Sequence, residues 1–141
     1  VKLFNDILQI EEQCLKDDRF KDLSITEIHV IEAIGINGER NMSSVARDLD
    51  ITIGTLTMSI NNLVKKGYVK RERSEEDRRI VLISLTEKGK DVYISHAEFH
   101  KEMIETTIAK LTDQEKEVLV AALENINYYF KEKYNLKKKK R

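Results

Sequence analysis

The stretch that decides the fold runs from Asn41 to Gly89 and reads NMSSVARDLDITIGTLTMSINNLVKKGYVKRERSEEDRRIVLISLTEKG. Residues 41–49 and 52–66 have the apolar spacing of two amphipathic helices, with a turn at residues 50–51 between them. A threonine at position 52 is a favourable N-cap for the second helix, and Gly67 ends it. The pattern is that of a helix–turn–helix.

A predicted hairpin follows directly. Residues 68–73 and 80–85 are rich in strand-forming side chains, and the run between them is acidic and basic. Asp77, Arg78 and Arg79 lie at its tip. A hairpin placed after a helix–turn–helix predicts a winged helix, in which a wing arginine can enter a narrow, electronegative minor groove. Asp77 would order the loop, either for this purpose or simply as a structural turn.

The second helix has the composition of a DNA-reading helix. Such a helix needs apolar residues on its inner face and short polar residues outside, because bulky outer groups would hold its backbone away from the base edges. Leu56, Ile60 and Leu63 fall on one face. The outer side chains suit thymine methyl groups and adenine edges, and they are Thr55, Thr57, Met58, Asn61 and Asn62. We therefore predict a double-stranded, A·T-rich operator.

Basic residues surround this helix and would supply affinity for phosphates without reading sequence. They are Lys65, Lys66, Lys70, Arg71 and Arg73. We add Ser43 and Thr52, which begin the two helices, to the predicted DNA contacts. The alternative is that the helices are only core elements and the lysines ordinary solvated charges.

The whole chain has 141 residues, enough for one compact domain with additional oligomerising helices. Charged residues make up 35% of it but sum to zero, so the argument for a nucleic-acid partner depends on local charge. One cysteine, no signal-peptide pattern and no long apolar run favour a cytoplasmic protein without membrane association. The chain begins with Val1 rather than methionine, so we expect its natural start upstream.

Helical patterns flank the winged helix on both sides. Helical spacing predicts a first helix in residues 1–15, and Ser24 with Glu27 forms a capping-box pair ahead of the next. Thr112 with Glu115 is a second such pair. The predicted fold is mainly α, in the order α1-α2-α3-α4-β-wing-β-α5-α6, with helices at about 1–15, 24–35, 41–49, 52–66, 86–111 and 112–134.

These features together resemble the MarR family of transcriptional regulators. The resemblance rests on ARDLDITIGTLTMSINNLVKKGYV (46–69), the DRR tip and LTEKG (85–89). It implies a homodimeric repressor on a palindromic operator, with a dimerisation region at 1–23 and 90–135, a DNA-binding region at 24–89 and a basic tail at 136–141. Two residues depart from the family pattern: Met58 replaces a common basic residue, and Asp50 replaces the common turn glycine.

Within the family, RFKDLSITEIHVIEAIG (19–35) and FHKEM (99–103) are most similar to the repressors of fatty-acid biosynthesis. That resemblance implies acylated acyl carrier protein as a corepressor, with the acyl chain buried beside α1, α2 and α5. The apolar residues that would line such a pocket are Leu8, Phe20, Ile28, Ile31, Ile34, Phe99 and Met103. Ordinary core packing is the alternative for each of them.

The chain has three histidines, at positions 29, 96 and 100. His96 and His100 are one helical turn apart, a spacing that suits two zinc ligands, and a carboxylate from Glu11 or Glu12 can complete a site. Resemblance to the zinc-responsive MarR repressors implies the set Glu11, His29, His96 and His100. The alternative is that these histidines only form hydrogen bonds or are solvated, so no cofactor is required.

Cys14 and the basic tail each have a functional and a purely structural interpretation. Cys14 can be a redox-sensing thiol, as in some MarR relatives, but a packing residue is the alternative that we favour. The tail can bind DNA or an acidic carrier protein, or it can be a solvated extension. We expect no enzyme, since the sequence has no glycine-rich phosphate loop and no nucleophile with an evident histidine base.

Overall fold

The computed structural model describes residues 2, 6, 9, 13 and 19–138. Predicted α1 therefore lies almost wholly outside the described residues, and the other five predicted helices lie within them. Their bounds are α2 Ile25–Ile34, α3 Met42–Asp48, α4 Ile53–Lys65, α5 Glu87–Ile108 and α6 Asp113–Lys138. The strands are β1 Arg40–Asn41, β2 Val69–Arg73 and β3 Val81–Leu85. This confirms the predicted winged-helix fold class.

The helix starts form as their caps predict. The Ser24 main-chain N–H donates to Glu27 Oε2 at 2.8 Å, and the Glu27 main-chain N–H donates to Ser24 Oγ at 3.2 Å. The Thr52 hydroxyl accepts the Thr55 main-chain N–H at 3.1 Å. These bonds satisfy N–H groups that the first turn of a helix leaves without a partner, so they fix where α2 and α4 begin.

The turn between α3 and α4 uses an unusual backbone angle. Asp50 has φ of 53°, in the left-handed region where glycine is the usual residue. Aspartate tolerates this region better than most residues, because its short polar side chain can bond locally. The missing turn glycine therefore does not change the position of the turn.

The sheet has three antiparallel strands in the order β1-β3-β2, whereas the sequence predicted only the two wing strands. Ile83 in the central strand pairs with Arg40 on one side and with Arg71 on the other. β1 has two residues, which is too short to show an alternating pattern in the sequence. It fixes the start of α3 against the base of the wing.

The core lies between α2, α3, α4 and the sheet. Leu56, Ile60 and Leu63 of α4 are fully buried, as is Tyr68 just before β2. Their burial confirms the predicted inner face of α4 and leaves its other face outside.

The chain forms two compact units, residues 1–98 and 99–141. The division falls inside α5, and Val92 and His96, which precede it, are buried in the first unit. The dimerisation and DNA-binding regions expected from the sequence stay predictions. In the second unit, α6 continues to Lys138 rather than ending near Tyr134, because leucine and lysine are good helix formers.

Among the described residues, none of the helices combines the length and the apolar character that a membrane span requires.

Candidate nucleic-acid interface

The outer face of α4 is exposed over its length. Met58 is 71% exposed and Ile53 is 52% exposed, while Asn62 and Lys65 are also at the surface. Thr57, which the sequence predicts among the outer side chains, is half-buried. Its hydroxyl donates to the Ile53 carbonyl at 2.7 Å. The face thus presents mainly methyl, thioether and amide groups, as a base-reading helix requires.

The first turn of α4 is held by its own hydroxyl groups. Besides accepting the Thr55 N–H, the Thr52 oxygen lies 2.9 Å from the Thr55 hydroxyl oxygen. Both residues are exposed at the helix start. Since main-chain N–H groups and the helix dipole favour negative charge there, this turn is suited to a phosphate group.

Asn61 is joined to the wing. The Arg71 guanidinium in β2 donates from Nη1 to Asn61 Oδ1 at 2.7 Å. Sequence reasoning treated the two residues separately, Asn61 as a reader of adenine and Arg71 as a contact to phosphate. The structure brings them together.

Lys66 has a different environment from the one predicted. It was expected at the entrance of the groove, but its Nζ donates to both carboxylate oxygens of Glu27, at 2.9 and 2.8 Å, and to the Asp22 carbonyl. Burial would raise the pKa of Glu27, but the bonds from Lys66 and from the Ser24 main chain outweigh it and hold the pKa below its usual value. The sequence pattern missed this because the partners are far apart along the chain.

Tyr68 extends this buried network. Its hydroxyl donates to Asp22 Oδ1 at 2.7 Å, and the Lys88 ammonium lies 4.0 Å from its ring centre. Burial, together with the bond to Asp22, raises the pKa of Tyr68 well above its usual value. The end of α4 is thereby fixed to both α2 and the start of α5.

The wing tip is ordered by Asp77, as the sequence predicted. Asp77 Oδ1 accepts from the Arg79 main-chain N–H at 3.0 Å and from its Nε at 3.1 Å, and Oδ2 accepts from Nη2 at 3.1 Å. Hydrogen bonds from the Arg79 side chain and main chain hold the pKa of Asp77 below its usual value. The Arg79 side chain remains 91% exposed, so it is oriented but accessible.

A groove of about 890 Å³ lies between α3, the start of α4 and the wing. Ser43, Ile53 and Thr57 line it, and so do four arginines and one acid, namely Arg47, Arg71, Arg73, Arg79 and Glu72. The excess of positive charge suits a sugar–phosphate backbone. Sequence reasoning did not single out Arg47. Arg47 lies one helical turn after Ser43, which is a predicted DNA contact. This spacing puts both side chains on the same face of α3 and could have indicated Arg47 as a further contact.

Comparisons with known proteins agree with this geometry. Residues 15–96 match the family described as Transcriptional regulator SarA/Rot. The HTH-type transcriptional regulator YfiV of Bacillus subtilis is 30% identical over 111 residues, which cover 74% of this chain and 69% of that protein. SarZ of Staphylococcus haemolyticus is 34% identical over 105 residues, covering 74% of this chain and 70% of that protein. The solved structure of Streptococcus pneumoniae FabT in complex with DNA is 42% identical, with a TM-score of 0.87 over 93% of this chain and 92% of that one.

This chain belongs to the MarR/SarA family of winged-helix transcription regulators. The family resemblance inferred from the sequence is thus confirmed. Since the relatives are named as transcriptional regulators, this MarR-family chain is a regulator of transcription that binds DNA. The individual base and phosphate contacts stay predictions.

A second cluster lies on α2 and α5 of this MarR-family protein. His29, Glu32 and His96 each offer a ligand atom within 4.8 Å of the others. His96 is buried, and its Nε2 lies 3.5 Å from Glu32 Oε2. Of the predicted metal ligands, His29 and His96 therefore lie together, with Glu32 as a partner that sequence reasoning missed. Glu11 is outside the described residues. His100 belongs to the second unit, where its ring centroid lies 5.6 Å from that of Phe99.

The predicted acyl-pocket residues fall into two groups. Ile28, Ile31 and Ile34 are buried together in the core of the first unit, and Phe20 packs against that core. Phe99 is half-buried and Met103 is 40% exposed in the second unit, while Leu8 is outside the described residues. The residues on α2 thus have the packing role that was the alternative, and the acyl pocket stays a prediction.

Proposed function

We propose that this chain is a homodimeric repressor of fatty-acid biosynthesis genes, with acylated acyl carrier protein as its corepressor. The observation that carries the proposal is the joined geometry of α4 and the wing. The start of α4, the strands of the wing and an oriented Arg79 all border one basic groove, and the exposed reading face continues along α4 from it. Similarity to FabT bound to DNA supports the fatty-acid role.

The DNA target is a palindromic, A·T-rich operator. Two copies of α4 would read half-sites roughly 34 Å apart, about one turn of DNA. The second unit supplies apolar surface for a partner copy, since α6 exposes a series of large apolar side chains: Val118, Val120, Leu123, Ile126, Tyr129 and Phe130. An exposed apolar surface of this extent is typical of a protein–protein interface.

The corepressor acts by changing the distance between the two reading helices. An acyl chain placed against α2 and α5 can favour the dimer geometry that fits the operator. A carrier protein is acidic, and the basic tail at 136–141 offers it a complementary charge. The regulator would work in the cytoplasm, where chromosomal DNA and acyl carriers are available.

One binding experiment tests both parts. Duplexes that the protein selects from a random pool are used to measure affinity alone, with long-chain acylated carrier protein, and with the same carrier lacking the acyl chain. We expect tighter binding only with the acylated form. Equal affinity in all three conditions would contradict the corepressor role, whereas failure to select any duplex would contradict DNA reading itself.

The cluster of His29, Glu32 and His96 favours a second candidate, a zinc-responsive repressor. Two imidazoles and a carboxylate are ligands that zinc prefers. In a tetrahedral site with bonds of about 2.1 Å, ligand atoms lie roughly 3.4 Å apart. The candidate ligand atoms of His29, Glu32 and His96 all lie within 4.8 Å of one another, so the three side chains would need to move only slightly closer together. Such an ion would join α2 to α5 and so couple metal availability to operator affinity.

Metal analysis separates the two candidates. We expect protein purified without chelator to hold stoichiometric zinc if this second candidate is correct, and Glu32→Gln to lose it. Glu39→Gln, which also removes one surface carboxylate, is the control. If added zinc leaves operator affinity unchanged in the wild-type protein, the metal-sensing function is wrong. A thiol sensor based on Cys14 stays a less favoured prediction, and that residue lies outside the described part of the chain.

A further inference from the structure

Two polar residues on different elements meet at the outer face of the interface. Asn61 lies in α4 and Arg71 in β2, and their side chains form a 2.7 Å hydrogen bond from Nη1 to Oδ1. Both residues are exposed, so the bond lies at the surface that a duplex would approach. It changes the chemistry that Asn61 can offer to a base.

A free asparagine reads adenine with both ends of its amide. Its oxygen accepts from the adenine amino group, while its NH₂ donates to N7. With one lone pair of this oxygen engaged by a guanidinium, most of the remaining hydrogen-bonding groups of the pair are donors: the amide NH₂ of Asn61 and the other N–H groups of Arg71. Guanine presents two acceptors, N7 and O6, in the major groove, whereas adenine presents an acceptor and a donor.

We propose that Asn61 and Arg71 act as one donor unit that selects guanine over adenine at a single position of each half-site. This proposal rests on the DNA-reading function and adds a G·C requirement within an otherwise A·T-rich operator. Arg71 is both a direct reader and the residue that positions Asn61. Thr55 and Met58, whose methyl groups suit contact with the thymine methyl group, still read thymine at neighbouring positions.

The sheet holds Arg71 in place for this role. Arg71 pairs with Ile83, a fully buried residue of the central strand, so its main chain is fixed by the core. Arg73 is the next residue on the same face of β2 because side chains alternate along a strand. Its guanidinium donates to the Arg78 carbonyl at 3.5 Å, within the wing. Arg73 therefore has the same charge and strand face but a different partner, which makes it a matched control.

The test uses a duplex that the full-length wild-type protein selects from a random pool. Each G·C pair in the half-site is changed to A·T, symmetrically in both halves, and the dissociation constants are compared. We expect one position at which the wild type loses affinity on the order of tenfold. In Arg71→Ala this ratio should fall to one or below, because the freed amide can now pair with adenine.

Variants at neighbouring residues complete the test. Asn61→Ala should remove the same preference, and the double variant should lose no more of it than either single variant. Arg73→Ala should weaken binding to both duplexes while keeping the roughly tenfold ratio. A ratio that stays near tenfold in Arg71→Ala, or that is absent from the wild type, overturns the inference. If the wild type selects no duplex at all, the proposed function fails together with the inference.

Discussion

The ammonium of Lys66 lies 2.8 Å from Glu27 Oε2, which joins the end of the recognition helix α4 to the first turn of α2. Glu27 also forms the capping box with Ser24, so a single carboxylate both begins α2 and holds α4. Only 8% of the Glu27 side chain is exposed, compared with 31% of Lys66. The end of α4 is therefore held against α2 by this pair as well as by apolar packing.

We expect Glu27→Gln to lower the free energy of unfolding by about 1–3 kcal/mol at neutral pH, since it leaves Lys66 without its charged partner. Urea denaturation followed by circular dichroism measures this loss. Glu39→Gln is the control, because it removes the same charge from an exposed loop position. Equal stability of the two variants would contradict a structural role for the ion pair.

The same pair predicts how stability depends on pH. The pKa of Glu27 is lower in the folded protein than the ordinary value of 4.5, so the unfolded chain binds the proton more readily. Stability from this group is therefore complete above about pH 4.5 and is lost as the pH falls through the folded pKa. Unfolding free energies measured from pH 7 to pH 3 should fall less steeply in Glu27→Gln than in the wild type. Parallel curves would contradict this prediction.

The residues that sequence reasoning placed correctly act over short distances along the chain. Thr52 bonds the N–H of Thr55, and Asp77 bonds Arg79, so each feature is determined within three residues. Leu56, Ile60 and Leu63 were also found, because helical periodicity alone puts them on one face. The fold was predictable from these local signals.

The features that sequence reasoning missed join residues far apart along the chain. Glu27 and Lys66 are 39 positions apart, and no periodicity links them. Asn61 and Arg71 belong to different elements, and Glu32 meets His96 only after α2 and α5 have packed. Such contacts depend on how helices and strands are placed in three dimensions, so one sequence could assign these residues a type of chemistry but not a partner.

Gly89, in the first turn of α5, should not tolerate a side chain. A Cβ atom there would lie 2.2 Å from the Tyr68 carbonyl oxygen, a main-chain atom that can move only if the start of β2 moves. We expect Gly89→Ala to destabilise the protein by about 1–3 kcal/mol through this overpacking. Thermal unfolding measures the effect.

Gly54 provides the matched comparison for Gly89. It also lies in a helix, but the nearest atom to an added Cβ is the Thr52 hydroxyl oxygen at 3.8 Å, an ordinary contact. Alanine is a better helix former than glycine, so Gly54→Ala should raise stability by about 0.5–1 kcal/mol. If both alanine variants change stability in the same direction, the close approach of α5 to Tyr68 is not what constrains Gly89.

Self-association through the second unit can be tested at Leu123. Its side chain is 53% exposed in the single chain, and a glutamate there would place a charge on the proposed apolar interface. We expect Leu123→Glu to shift the sedimentation coefficient from that of a dimer toward that of a monomer at micromolar concentration. Asn125→Glu adds the same charge at an exposed polar position of the same helix and should remain dimeric. A monomeric wild type would contradict the dimer.

Arg79 contributes a positive charge and a side-chain orientation that Asp77 fixes, and two substitutions distinguish the effects of these two properties on DNA binding. Arg79→Ala removes both from each protomer, so for a dimer on its operator the slope of log affinity against log salt should become shallower by about 1.8, the value for two phosphate contacts. Arg79→Lys keeps the charge but cannot reproduce the paired bonds from Nε and Nη2 to the Asp77 carboxylate. We expect the lysine variant to retain the wild-type slope and still bind less tightly, because its side chain must be ordered on binding. Lys116→Ala, which removes a charge already paired with Asp113, should leave the slope unchanged.

If the lysine variant binds as tightly as the wild type, the charge alone matters and Asp77 has no part in positioning the wing. If the alanine variant keeps the full slope, Arg79 does not reach a phosphate, and the wing contact would have to be assigned to Arg78.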